Sequence, residues 1–303
     1  MGISNFKFQI SNLRNHDGMA LILTLMVLAL ITAMVTEFAY GVYAGTNTLN
    51  NWYDSQRLSV FANSGINMAA IFISGTLSSS SFTYPGFFDM DFENPTKDFE
   101  GVINLRIEDE NSKFNINTIV YSNGTINEEA YNSFKRLLSN LSLETKIADY
   151  VADWIDPDTE WKLRDSEEGV KNAQLYSIDE LLLIKGIDRA AYEKLSPYIT
   201  VYGDGLININ GAEKPVLMSL SDNITDELAQ RVVDYRKTIP FEDISQLQKV
   251  AGFDLTIYGP ISARITVKGK YFYVKASAAS GGIRRIIEAV IGTGKDIKYW
   301  RES

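Results

Sequence analysis

The first part of the chain carries a long apolar segment without interruption. Residues 19 to 36, 18 in all, include no charge, and Glu37 ends the run. As an α-helix this segment rises about 27 Å, roughly the thickness of a hydrocarbon core. Beyond it, apolar residues recur at mostly helical spacing from Leu58 to Ile73. The pattern therefore predicts a membrane-spanning helix that continues as an amphipathic helix to about Ser74, with Gly65 as a weak position in it.

Two-residue alternation appears on both sides of the middle of the chain. Residues 102–107 and 270–277 alternate regularly, and residues 284–291 do so less regularly. Gly281 and Gly282 lie between the last two segments, as is typical of a hairpin turn. The intervening region has helical spacing instead, with one apolar face in residues 147–155. The pattern thus predicts a strand-rich domain that is interrupted by a helical insertion.

The helical region contains an internal duplication. Residues 114–118 recur as 207–211, residues 147–154 as 228–235, and residues 178–188 as 244–254. One supersecondary unit is therefore used twice. The helices match at an offset of 81 positions and the later segments at 66, so the first copy carries 15 additional residues between Trp154 and Ile178.

The additional residues are strongly acidic. Seven carboxylates fall between positions 153 and 168, namely Asp153, Asp156, Asp158, Glu160, Asp165, Glu167 and Glu168. The second copy lacks this loop, so the fold does not require it. Closely spaced carboxylates can converge on a hard cation such as Ca²⁺, although Trp161 stands where an EF-hand loop needs glycine. The residues alone leave open the alternative of a solvated acidic loop, eased by Lys162, Arg164 and Lys171.

Composition excludes several kinds of chemistry. The chain has no cysteine, and its single histidine is His16. If residues 1–18 are removed, no imidazole remains for a Ser-His-Asp triad or for the usual zinc sites. The formal charge of −9 argues against nucleic acid as the main partner. We therefore expect a protein that is not an enzyme.

The N-terminus resembles that of type IV pilin-like precursors, with a short polar leader, Gly18 and then the apolar helix. The resemblance implies cleavage by a prepilin peptidase between Gly18 and Met19, and methylation of the new N-terminus. Major pilins have glutamate as the fifth residue after the cut, whereas this chain has Leu23. A buried carboxylate is costly without its partner, and a subunit at the end of a filament lacks one neighbour. The alternative is an ordinary signal anchor in which the glycine is coincidental.

Several ordered motifs extend the resemblance over the whole chain. They are IEDENSKFNIN at 107–117, DWIDPDTE at 153–160, YSIDELLLIKG at 176–186, GLININ at 205–210 and YWRE at 299–302. Together they resemble the minor pseudopilin K family of type II secretion. The resemblance implies calcium next to residues 153–158. The acidic insertion here is shorter than is usual in that family, which leaves the ligand set and a second calcium open.

The resemblance also implies an α+β, type IV pilin-like fold, in which a long N-terminal helix packs on a small antiparallel sheet. A large all-α domain of two helix-hairpin-helix or SAM-like repeats interrupts it. The expected domains are a leader at 1–18, the helix at 19–77, a β domain at 78–118 and 265–303, and the inserted helical domain at 119–264. Residues 219–224 stand where DNA-binding modules of this type carry a Gly-Ile-Gly hairpin for phosphate, so we expect no nucleic-acid partner.

The expected function is that of a minor pseudopilin at the tip of the type II secretion pseudopilus. Its expected partners are the minor pseudopilins I, J and H, the major pseudopilin and the prepilin peptidase. We expect one pass through the bacterial inner membrane, with the N-terminus in the cytoplasm and the C-terminal domain in the periplasm, as the distribution of Lys7, Arg14 and Arg57 favours. Three alternatives remain: a minor pilin of a type IV pilus or competence system, a membrane-tethered DNA-binding protein, and a carboxylate metallohydrolase at Asp153, Asp156 and Asp158.

Overall fold

The protein is described here by a computed structural model, which covers residues 16–93, 101–157 and 170–303. The chain forms two units, Met1–Gln56 and Arg57–Ser303. In the first unit the described residues are helical throughout. The second unit contains an antiparallel sheet, the last turns of the long helix and all the shorter helices.

Seven α-helices occur in the described part of the chain: α1 His16–Phe72, α2 Glu128–Asn140, α3 Ile147–Ile155, α4 Arg189–Leu195, α5 Lys214–Ser219, α6 Asp226–Thr238 and α7 Leu255–Ile261. The strands there are β1 Phe87–Glu93, β2 Val102–Asp109, β3 Phe114–Asn115, β4 Ile199–Thr200, β5 Ile207–Asn208, β6 Ile265–Thr266, β7 Tyr271–Ser280, β8 Ile283–Gly292 and β9 Ile297–Glu302.

The C-terminal part of the long helix forms one side of a core. In the second unit its buried side chains follow one another at intervals of three or four residues, which places them on one face: Leu58, Ala62, Ile66, Ala69, Ile73 and Leu77. A π-helical turn, Ile73–Leu77, continues α1. The predicted amphipathic helix is therefore confirmed, and it ends three residues beyond the expected position.

The sheet has five antiparallel strands in the order β1-β2-β7-β8-β9. The three predicted strands correspond to β2, β7 and β8, and the Gly281-Gly282 turn has positive φ at both residues, 56° and 82°. On β7 every second side chain is buried, because one face of the strand lies on the core. The edge strands β1 and β9 were not predicted, although β1 alternates phenylalanine and methionine with aspartate.

Small residues set the distance between α1 and the sheet. A Cβ atom built on Gly65 would lie 3.0 Å from the Cβ of Ala276 on β7. Ala62 and Ala69 flank this position on the same helix face, and both are fully buried. Gly65 was expected to weaken the helix, but its missing side chain allows the helix to approach the sheet closely.

The helical region repeats one element order. Each copy opens with a two-residue strand, continues through two α-helices, a 3₁₀ turn, a third α-helix and another 3₁₀ turn, and closes with another two-residue strand. The first copy has one additional 3₁₀ turn, Ile116–Ile119, directly after its opening strand. The opening and closing strands pair in parallel, β3 with β4 and β5 with β6. The duplication read from the sequence therefore has a counterpart in the fold.

Two separate hydrophobic cores correspond to the strand-rich region and the helical region. One contains α1 and the sheet, and the other contains both helical copies. The core of the helical region runs from Phe114 to Val267 along the chain. It therefore begins and ends a few residues outside the expected bounds of 119 and 264, because the paired strands that close each copy belong to it.

Candidate functional site

The first candidate site is the N-terminal half of α1. The helix contains a segment that is long and apolar enough to cross a membrane by length and composition. Gly18 and Met19 are both exposed in this helix, and so is Leu23. A Cβ atom on Gly18 would contact nothing within 4 Å. The structure thus places Gly18 in the first turn of an uncovered apolar helix, and the cleavage itself stays a prediction.

The second candidate site is the acidic segment after α3. Asp153 and Asp156 lie at the C-terminal end of this helix, and the side chains of both are fully buried. The other five predicted ligands, Asp158, Glu160, Asp165, Glu167 and Glu168, lie outside the described residues. The described residues contain no group of three or more side chains suited to a metal ion. The calcium prediction is therefore not tested.

The surroundings of Asp153 and Asp156 suit a cation. A helix C-terminus carries partial negative charge, which favours a cation nearby. Carboxylate oxygens are also the ligands that Ca²⁺ prefers.

Hydrogen bonds hold the two ends of the acidic loop in place. The backbone N–H of Ala173 donates to the carbonyl of Trp154 at 3.2 Å, which closes the loop at its base. Leu175 is fixed next to it, because its N–H donates to Asn117 Oδ1 at 2.9 Å and its carbonyl accepts from Asn117 Nδ2 at 2.9 Å. The additional residues therefore leave and rejoin the fold at one place.

The third candidate site is a buried polar junction that sequence reasoning missed. Asp109, at the end of β2, is enclosed, and its carboxylate accepts hydrogen bonds from Asn208 Nδ2 at 2.7 Å and Thr83 Oγ1 at 3.1 Å. Its other oxygen accepts from the N–H of Asn111 at 2.9 Å. Burial raises the pKa of Asp109 to about 6, although these hydrogen bonds oppose the shift. This carboxylate therefore links the sheet to the opening strand of the second helical copy.

A second ionic group joins the sheet to the first helical copy. Lys113 Nζ lies 2.8 Å from Glu110 Oε1 and 3.1 Å from Glu108 Oε2. The remaining oxygen of Glu110 accepts a short hydrogen bond from Thr200 Oγ1 on β4. Each helical copy is thus attached to the end of β2 through an acidic residue, Asp109 or Glu110. In the sequence, the only sign of Asp109 and Glu110 was the spacing of polar residues around the two Asn-Ile-Asn motifs, at 115–117 and 208–210.

At the helix starts and the turn where a phosphate would be expected to bind, groups of the protein itself already take up the space. Asp188 and Asp254 precede α4 and α7, and their carboxylates accept backbone N–H groups, from Ala191 at 2.7 Å and from Thr256 at 2.9 Å. The segment at 219–224 presents carbonyls, since Arg136 donates to Ser219 O at 2.8 Å. A phosphate needs free N–H groups at a helix start. The geometry therefore does not favour nucleic-acid binding at these hairpins.

The fold, with its apolar anchor helix, defines the class: an α+β protein in which a long N-terminal helix packs on an antiparallel sheet. Family models described as type II secretion system (T2SS), protein K, match residues 112–204 and 207–268. Together they cover just over half of the chain, and their division coincides with the boundary between the two helical copies. The chain belongs to the type II secretion system protein K family.

Individual relatives agree with this assignment. The type II secretion system protein K of Pseudomonas aeruginosa is 27% identical over 216 residues, which cover 65% of this chain and 63% of the relative. The chain thus spans somewhat under two thirds of that relative. The protein K of Pectobacterium carotovorum subsp. carotovorum is 27% identical over 302 residues, covering 87% of this chain and 88% of the relative.

One solved structure supports the fold. A chain in the crystal structure of the GspK-GspI-GspJ complex from the type 2 secretion system of enterotoxigenic Escherichia coli matches with a TM-score of 0.68 at 20% identity. The match covers 84% of this chain and 98% of that chain. The α+β architecture with its long helix and antiparallel sheet is therefore confirmed.

Proposed function

We propose that this chain is a minor pseudopilin at the tip of the type II secretion pseudopilus, where it supports pseudopilus assembly and protein export across the outer membrane. The observation that carries the proposal is the division of α1. Its N-terminal half exposes an apolar surface, whereas its C-terminal half buries one face against the sheet. Such a helix anchors a subunit in the membrane and then packs with the helices of neighbouring subunits. The mechanism is packing rather than catalysis.

The partners that we propose are the minor pseudopilins I, J and H and the major pseudopilin. The similar solved structure is named as a complex with GspI and GspJ, which supports the first two. The position of Leu23 supports a place at the tip, because no carboxylate is present there to pair with a preceding subunit. The bulky helical domain supports the same place, since a wide subunit fits only at an end.

Cross-linking tests the proposed packing. Val60 and Met68 are exposed on α1 within the second unit, and a photo-reactive amino acid at either position should cross-link to minor pseudopilins I or J. Leu255 is exposed in the helical region and serves as the matched control, with no cross-link expected to either partner. If Val60 and Met68 cross-linked to the major pseudopilin alone, and the products formed a long ladder of repeated subunits, a place at the tip would be contradicted.

We also propose that a prepilin peptidase cleaves the chain between Gly18 and Met19, and that the new N-terminus is methylated. The mature protein then spans the inner membrane once, with its N-terminus towards the cytoplasm and its C-terminal domain in the periplasm. Mass spectrometry of the membrane-extracted protein tests this directly. The expected chain begins at a methylated Met19. An intact residue 1, or a cut beyond Ala39, would contradict the proposal.

Calcium is proposed at the acidic segment, with Asp153 and Asp156 as ligands and further carboxylates from residues 158–168. Its role would be to hold the inserted loop in place. Thermal unfolding of the full chain with and without a chelator should show lower stability without calcium. The shift should disappear in the Asp153→Asn, Asp156→Asn double variant and persist in Asp222→Asn, which changes an exposed carboxylate in the second copy.

We infer further that the two copies are helix-hairpin-helix or SAM-like units which have kept the fold without the DNA-binding function. The shared element order supports the first part, and the aspartates before α4 and α7 support the second. Binding to duplex DNA, measured over a range of salt concentrations, should be absent. Salt-sensitive binding would favour the alternative of a membrane-tethered DNA-binding protein.

A further inference from the structure

A cleft lies between the sheet and the helical region in the second unit, with a volume of about 700 Å³. One wall is the sheet face opposite α1, where Tyr273 and Tyr299 lie, and the other includes Tyr192 and Tyr198 of the first helical copy. Clefts of several hundred Å³ with aromatic walls are typical of sites for small ligands or short peptide segments. The acidic residues Asp153 and Asp156 do not line this cleft.

The ionic groups on the sheet side of the cleft are paired with one another. Glu288 accepts hydrogen bonds from Tyr273 at 2.6 Å and from Arg301 at 2.9 Å. Glu108 is paired with Lys113, as described above, and also with Arg106 at 2.6 Å. These side chains compensate one another, so this wall offers no free charge to a ligand.

Arg236, on the opposite wall, differs from these groups. Its side chain is 8% exposed, and in the described part of the chain it forms no ion pair. Its Nη1 donates to the carbonyls of Ile209 and Ala212, each at 2.6 Å. Nε and Nη2 make no hydrogen bond to the described residues, and Arg236 lines the cleft. Burial lowers the pKa of Arg236 to about 10, which leaves it charged at neutral pH.

A hydroxyl group lies at the same end of the cleft. Ser112 lines the cleft, and its Oγ is enclosed without a hydrogen-bond partner among the described residues. It packs against Gly211, where a Cβ atom would lie only 1.8 Å from it. Gly211 belongs to the turn that Arg236 holds through residues 209 and 212. The guanidinium and the hydroxyl therefore border one turn, and Tyr84 is close enough to Arg236 to influence its pKa.

No carboxylate of the described residues lies within ion-pair distance of Arg236, although Glu213 is close enough to influence its pKa. A planar guanidinium with two free donors matches a carboxylate. We propose that this cleft binds a carboxylate attached to an apolar or aromatic group, with the carboxylate on Arg236 and the apolar group against Tyr84 and Tyr198. Two sources share this chemistry: the C-terminal residue of a peptide, and an acidic side chain next to an aromatic residue. The inference rests on the cleft and not on the proposed secretion function.

Calorimetric titration of the detergent-solubilised full chain tests the proposal with three probes. N-acetylphenylalanine carries a terminal carboxylate, N-acetylphenylalaninamide lacks it, and N-acetyl-aspartyl-phenylalaninamide carries only a side-chain carboxylate. At least one of the two acids should bind roughly tenfold or more tightly than the amide, because a charge-assisted hydrogen bond is lost with the amide. Which acid binds more tightly identifies the source. Equal affinities for all three, or no binding, would overturn the proposal.

Variants locate the carboxylate within the cleft. Arg236→Lys keeps the charge but loses the two-pronged geometry, so the preferred acid should bind several-fold more weakly. Since this change also affects the turn at 209–212, we choose a second variant that leaves the fold unchanged. Glu213 is exposed at the start of α5 and close enough to influence the pKa of Arg236. Glu213→Gln removes a charge that repels the carboxylate of the ligand. It should raise the affinity for the acid a few-fold without affecting the affinity for the amide. An unchanged affinity for the acid would show that its carboxylate does not reach Arg236.

Discussion

The two helical copies share one buried hydrogen-bond network and differ in what surrounds it. In the first copy Asn117 bonds to both backbone groups of Leu175 and donates to the carbonyl of Val201 at 3.3 Å. In the second copy Asn210 bonds to both backbone groups of Phe241 and donates to the carbonyl of Val267, also at 3.3 Å. The same amide therefore closes each copy around the place where only the first carries extra residues.

The difference between the copies lies in the preceding asparagine. Asn115 donates to the carbonyls of Tyr202 and Gly203 within its own copy, at 3.2 and 2.9 Å. The equivalent Asn208 donates to Asp109 and Thr83, which belong to the sheet domain. The duplicated unit thus kept its internal closure, while one copy gained an acidic loop and the other a junction. A closed network tolerates such changes because they occur outside it.

The largest expected effect comes from removing the shared amide. Asn117→Ala and Asn210→Ala should each lower the free energy of unfolding by about 3 to 5 kcal/mol, since several buried backbone groups lose their partner. Urea unfolding measures this, with the exposed Asn223→Ala as control, for which we expect a change within about 0.5 kcal/mol. If only one of the two substitutions lowered the free energy of unfolding, the two networks would be equivalent in geometry but not in energy.

Calcium should distinguish the copies next. A variant shortened across residues 158–169 imitates the second copy and should keep its fold, because the ends of the loop are already joined at Trp154 and Ala173. Calcium at a hundred times its dissociation constant should stabilise the full chain by about 2.7 kcal/mol and leave the shortened variant unchanged. Thermal unfolding compares the two proteins. Equal stabilisation of both would place the ion elsewhere.

The junction of the second copy should depend on pH. Because the folded pKa of Asp109, about 6, lies above the ordinary value of 3.8, the folded state holds this proton more tightly than the unfolded state. Stability from this group is therefore greatest below pH ~3.8 and is lost as the pH rises towards about 6, by roughly 2 kcal/mol between pH ~4 and pH ~7. Over this pH range, the difference in unfolding free energy between wild type and Asp109→Asn should fall by the same amount. A constant difference would mean that Asp109 is ionised throughout.

The smallest expected effect concerns the caps of the hairpins. Asp188→Ala and Asp254→Ala should each cost about 1 kcal/mol. The second should cost slightly more, because Asp254 accepts from Thr256 Oγ1 and Ile257 N as well as from Thr256 N. Within the described part of the chain, Asp188 accepts one hydrogen bond, from Ala191 N. Chemical unfolding measures both values. If either variant gained affinity for duplex DNA, the carboxylate would be shown to block a phosphate site.

Local patterns were sufficient for much of this molecule. Apolar runs and helical spacing predicted α1, alternation predicted β2, β7 and β8, and self-similarity predicted the two copies. Each of these signals lies within a short segment, because secondary structure and its exposed face follow from residues a few positions apart. The edge strands β1 and β9 were missed. On β9 most side chains remain exposed, so the polar pattern carries little information about pairing.

The sequence by itself determined the long apolar helix, the duplication, the acidic insertion, the absence of cysteine and the single histidine, His16. Only the tertiary structure decided what these features contact. It turned Gly65 from an expected weak position into the point where helix and sheet approach closely. It also brought Asp109 to Asn208, 99 positions along the chain, and placed Arg236 in the wall of a cleft. The physical reason is that hydrogen bonding and burial depend on distances in space, which residues far apart in the sequence acquire only when the chain folds.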